Sequence, residues 1–168
     1  DYLKLDDSAD WDIAASADED WTVDFWVKHT AVPTRHQAYI GQYADRESWE
    51  VTYNAIIDPD RYGLSFSILK DYDHTFTIYS GAEIKDTEWH HVALARTGDD
   101  EGNLYYGLYL DGKQVGYYEA DFTMAIENGP LFIGNGAETG TNYLDGNLDE
   151  VRITKGNLFG ADPRIGND

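Results

Sequence analysis

The sequence predicts an all-β fold built from two packed antiparallel sheets. Apolar residues recur with a period of two along most of the chain. The alternating runs are short and separated by Gly, Asp, Asn and Pro turns. No stretch sustains a helical period, and about eleven or twelve short strands in one domain imply two sheets rather than one.

Each strand can be read in order. Asp1-Tyr2-Leu3-Lys4-Leu5 alternates from the first residue, a start that suggests a domain excised from a longer protein. Trp21 to Lys28 places Val23, Phe25 and Val27 on one face and Asp24 and Trp26 on the other. Gln37 to Tyr43 and Trp49 to Asn54 follow. Leu64, Phe66 and Ile68 alternate with Ser65 and Ser67, and Phe76 and Ile78 with Thr75, Thr77 and Tyr79. Trp89 to Arg96 is apolar on both faces, as a central covered strand is. Leu104, Tyr106, Leu108 and Leu110 alternate with Tyr105, Gly107 and Tyr109. Asp111-Gly112 then makes a hairpin turn into Val115 to Ala120. Leu131 to Gly134 and Asn147 to Thr154 are the last strands. Asp10 to Ala15 and Asn157 to Asp162 are expected to form short helical turns.

The totals bound the function. A chain of 168 residues fits one domain, residues 1–168, and buries roughly 70% of its unfolded surface without staples. It has no cysteine, so disulfides and Cys-based zinc sites are excluded. The net charge of −20 repels nucleic acids and anionic membranes and is able to attract cations. No run reaches the ~18 apolar residues of a membrane span.

Near-matches to catalytic motifs fail on physical grounds. Gly107 to Lys113 resembles a phosphate loop, but Gln114 stands where a Ser or Thr must hold magnesium. Asp58-Pro-Asp60-Arg-Tyr62-Gly63 opens like a calcium loop, yet its twelfth position is Leu69 instead of Glu. Asp149 and Glu150, like His90 and His91, are strand neighbours expected to diverge to opposite faces. Arg152 is expected to pair with Glu150, and Trp26, Trp89, His91 and Arg152 read as structural. Outward Tyr105 and Tyr109, with Tyr79 and Trp49 expected on the same open face, suit stacking on sugar rings. The loops Asp71-Tyr72-Asp73-His74 and Thr141-Asn142-Tyr143 offer a second candidate surface through Tyr72, Asn142 and Tyr143.

Five segments in order carry a family resemblance. They are Asp1 to Leu5 with Ser8-Ala9-Asp10-Trp11, Trp21 to Val27, Glu88 to Ala93, Leu110-Asp111-Gly112-Lys113, and Leu144 to Ile153. Together they resemble the laminin G-like branch of the concanavalin A-like lectin/glucanase superfamily, in its bacterial and bacteriophage form. The resemblance implies a two-sheet jelly-roll sandwich. The family's glucanases carry Glu-x-Asp-x-Glu or a close variant on one strand, which this chain lacks. It therefore implies a non-catalytic, extracellular carbohydrate- or receptor-binding (adhesion) module, with a glycan or cell-surface receptor as partner. The alternative is a structural domain at the virion surface, in a capsid decoration or tail fibre, packing against other subunits. It also implies a structural Ca²⁺ near the start and end of the domain, with Asp1, Asp145 and Asp149 as the ligands by position. With that ion bound, millimolar Ca²⁺ added after EDTA treatment raises the melting temperature by more than about 2 °C, as read by calorimetry.

Overall fold

Alternation in the sequence becomes eleven antiparallel strands among the described residues. The computed structural model describes residues 1–13, 19–44, 47–55, 60–70, 74–120, 129–136 and 142–165. One sheet has six strands: β1 (Leu3–Leu5), β10 (Leu131–Ile133), β3 (Gln37–Tyr43), β4 (Glu47–Asn54), β5 (Gly63–Lys70) and β6 (His74–Tyr79), in that spatial order. The other has five: β11 (Gly146–Lys155), β2 (Trp21–His29), β7 (His90–Gly98), β8 (Leu104–Leu110) and β9 (Lys113–Ala120). This is the expected jelly-roll sandwich.

The inner faces meet in one core. Val23, Phe25 and Val27 of β2 and Leu104, Tyr106 and Leu108 of β8 pack with Trp49, Val51, Leu64 and Phe66 of the six-stranded sheet. The aromatic contacts are mostly edge-on or tilted, as with Trp21 against Phe66 at 6.3 Å and Phe76 against Tyr106 at 5.1 Å. β7 is the central strand of its sheet, buried on both faces as expected. Its Arg96 is buried beside the core, and its guanidinium donates to the Glu19 carbonyl. The β8–β9 hairpin turns on Asp111 (φ 52°) and Gly112 (φ 77°), two positive values in succession, as a two-residue primed turn requires.

Three expectations change. Trp49 is 0% exposed and points into the core, where its indole N–H donates to Gln42 Oε1 at 3.1 Å. It therefore lies in the core and does not share a face with Tyr105 and Tyr109. Asn157–Asp162 is not helical; the only helical turn among the described residues is a 3₁₀ turn at Pro163–Ile165. In β11 the register shifts between Asp149 and Arg152, and Glu150 has φ 49°. This bulge leaves both Asp149 and Glu150 exposed, so strict alternation does not hold there. The bulge has a cause in the sequence. Leu148, Val151 and Ile153 all pack against the core, and their spacing of three then two cannot share one face of a regular strand.

Because Trp49 belongs to the core and not to a binding face, Trp49→Ala is expected to lower stability by about 3–5 kcal/mol, measured by urea denaturation.

Candidate functional site

The outward side of the five-stranded sheet carries a concavity covered by the chain that follows β11. Its rows are set by the register. Asp24, Ala93 and Tyr109 lie side by side on β2, β7 and β8, and Trp26 lies beside His91. Ala93 and Ala95 are small, so the middle of this face is low. Residues 157–165 fold back over it. Asn157 closes this return with two bonds, donating to the Ala161 carbonyl at 2.7 Å and accepting from the Ala161 N–H at 2.8 Å. Gln114 Nε2 donates to the Pro163 carbonyl at 3.0 Å and the Leu158 N–H to Thr22 Oγ1 at 3.2 Å, fixing the return to β9 and β2.

Between sheet and return lies a cavity of ≈ 450 Å³ lined by residues including His91, Ala93, Ala95, Tyr109 and Phe159. A more open groove of ≈ 470 Å³ adjoins it, lined by Trp26, His91, Asp111, Gly112, Arg152 and Phe159. His91, Gly112 and Phe159 belong to both, so the two form one continuous site. The His91 ring sits 5.2 Å from the Trp26 ring and 5.7 Å, edge-on, from Phe159.

Beneath these rings lies Asp24, fully buried although on the outward face. Arg152 clasps it through Nε at 3.1 Å to Oδ1 and Nη2 at 2.5 Å to Oδ2, and His91 Nε2 lies 3.1 Å from Oδ2. A carboxylate stripped of water requires such partners. Arg152 therefore pairs with Asp24 across the bulge, not with the expected Glu150.

The candidate residues separate. Tyr109 lines the cavity, its ring reclining over Gly107, where a Cβ would lie 2.8 Å from it. Tyr105 shares the face but is only 8% exposed. Its hydroxyl donates to Asp99 Oδ2 at 2.7 Å, a bond that pushes its pKa up to about 12 and leaves it committed within the fold. Tyr79 lies on the other sheet, paired with Ser65. Tyr143 stands beside Tyr2, ring centres 5.9 Å apart, and Tyr2 in turn packs against Phe132 of the six-stranded sheet, while Asn142 accepts the Ala38 N–H through its carbonyl. Tyr72 lies outside the described residues. Asp145 opens β11 with its carbonyl bonded to Thr30 N–H, Asp149 accepts the Glu150 N–H, and Asp1 is exposed at the opposite sheet's edge. Among the described residues no three His, Asp or Glu side chains gather as a metal site.

Sequence reasoning missed Trp26, His91, Arg152 and Phe159 as site residues. Trp26 carried a signal, being a large aromatic on the outward face of a strand whose inward face was already apolar. Phe159 carried none, because its place depends on where the chain returns.

The protein is thus a two-sheet jelly-roll sandwich with a walled groove on one outer face. The chain matches the family described as the concanavalin A-like lectin/glucanases superfamily, of laminin G type, over residues 1–162, and it belongs to that family. No curated protein sequence matches it. Solved structures share the fold at low identity. Domains LG4-5 of the mouse laminin alpha1 chain are similar at 12% identity and TM-score 0.64, over 90% of this chain and 38% of that one. The CBM40 of the Ruminococcus gnavus IT-sialidase is similar at 14% and 0.61, over 92% and 89%. Domain 4 of AbnA, an extracellular GH43 arabinanase of Geobacillus stearothermophilus, in complex with arabinotriose, is similar at 14% and 0.60, over 92% and 82%. None of the helices among the described residues is long and apolar enough to cross a membrane.

His90, diverging from His91 as expected, gives the rim of the groove a pH signature. Its Nδ1 lies 2.8 Å from Asp111 Oδ2 and its Nε2 2.9 Å from Asp86 Oδ1, and both nitrogens donate only in the charged ring. Partial burial opposes that charge, but the bonds to Asp111 and Asp86 outweigh it, so the pKa is raised above 6.5. The folded chain then holds the proton more tightly than the unfolded one. The stabilisation is complete below about pH 6.5 and is lost as pH rises through the folded-state value. An NMR titration is expected to place His90 above 6.5. The stability gap between wild type and His90→Asn is expected to shrink across the same pH window.

Proposed function

We propose that this chain is a non-catalytic module that binds neutral glycans in the groove beside Trp26. The single observation that carries this reading is the pair of exposed aromatic walls, Trp26 at 37% and Phe159 at 50%, flanking His91 and Arg152, which Asp24 holds in fixed positions. Flat rings suit the C–H faces of sugars, and oriented polar groups suit their hydroxyls. The relatives' printed names support glycan binding as such, since two are carbohydrate-binding or carbohydrate-bound domains, one of them also bound to the acidic sugar sialyllactose.

A neutral ligand fits better than an acidic one. The net charge of −20 repels anionic sugars at long range, and the Arg152 guanidinium is already neutralised by Asp24. Non-catalytic action is supported by the state of the groove's carboxylates. Asp24 is buried and clasped by Arg152, and Asp111 is held by His90 and by the His91 N–H. Neither is poised across a substrate from a second acid as glycosidic hydrolysis requires. A glycan-binding role places the module outside the cell.

An array of neutral plant, algal and bacterial polysaccharides is expected to give at least one ligand. Trp26→Ala is expected to weaken that ligand at least tenfold in calorimetry, about 1.4 kcal/mol. A blank array, or binding indifferent to Trp26→Ala, overturns the reading.

A further inference from the structure

The enclosed half of the site differs chemically from the open half. Its floor is Ala93 and Ala95, on the central strand, and its side wall is the Tyr109 ring lying over Gly107. Phe159, Gly160 and Ala161 form the covering return. Three of the four polar side chains on its wall are engaged inside the protein, the Tyr109 hydroxyl being the fourth. Gln114 donates to the Pro163 carbonyl, Asp162 accepts Arg164 Nε at 2.8 Å and Nη2 at 2.9 Å, and His91 Nε2 faces Asp24. A sugar hydroxyl entering this cavity gives up several waters for little more than the Tyr109 hydroxyl, whereas an apolar group gives up no hydrogen bonds and covers the Ala93, Ala95 and Phe159 wall. The cavity opens into the groove past His91, Gly112 and Phe159, so one ligand can occupy both.

We propose that this cavity receives an apolar substituent (an alkyl, acyl or aryl group) carried by the neutral glycan held in the groove. The inference rests on the glycan reading above and narrows it to substituted sugars. An anionic amphiphile is disfavoured by the −20 charge, so the substituent and its carrier are both uncharged.

The test uses the whole chain and the methyl, propyl and hexyl β-D-glucosides, with 1-hexanol as the sugar-free control, followed by amide chemical shifts. Affinity is expected to rise about fourfold for each added methylene. The shifts are expected to centre on Ala93, Ala95 and Tyr109, with hexyl glucoside binding more tightly than 1-hexanol. Ala95→Leu and, separately, Ala93→Leu fill the floor and are expected to flatten the series. A series flat in the wild type while neutral glycans still bind overturns the assignment of the cavity and leaves the groove reading standing. A rising series in which 1-hexanol binds as tightly as hexyl glucoside shows that the sugar adds nothing. That outcome overturns the proposal, and the glycan reading then stands or falls with the polysaccharide array and Trp26→Ala.

Discussion

Burial of the two inner faces against each other sets every other position in the molecule. Trp21, Phe25, Trp49, Phe66 and Tyr106 fill the space between the sheets, and all are almost wholly removed from water. The chain has no cysteine to staple it, so this apolar contact is the main stabilising term. Once Val23, Phe25 and Val27 are committed inward, Asp24 and Trp26 must face outward. The outer face is thus a consequence of the core.

On that outer face a second constraint operates. Asp24 lies buried under its neighbours, where Arg152 and His91 reach its carboxylate. The bulge at Glu150 brings Arg152 opposite Asp24 while keeping Leu148, Val151 and Ile153 on the core. One local irregularity therefore serves packing and charge together. Removing one partner from a buried ion pair costs more than the pair contributes, because the remaining charge is stranded. The groove's polar geometry inherits its rigidity from this arrangement.

Much of the fold was legible in the sequence. Gln37–Tyr43 and Leu104–Leu110 are strands with the bounds the sequence predicts, and the Asp111-Gly112 hairpin follows from turn chemistry. The site was legible only in pieces. Tyr109 was placed on the outward face, where it lines the cavity, because outward aromatics can be counted on a strand. Trp49 was misplaced because alternation gives two faces without saying which one meets the other sheet. Arg152 was given the wrong partner because a bulge shifts the face of every residue beyond it.

The sequence by itself determined the strand positions, the hairpin turn, the absence of staples and the strongly acidic surface. These depend on local periodicity, turn residues and composition, which are properties of neighbouring residues. The tertiary structure alone decided that residues 157–165 cover the face holding Ala93, Ala95 and Tyr109. It alone decided that Trp26, His91, Arg152 and Phe159 converge. Trp26, His91 and Arg152 come from separate strands and Phe159 from the return after β11, so only the strand order and that return bring them within contact distance.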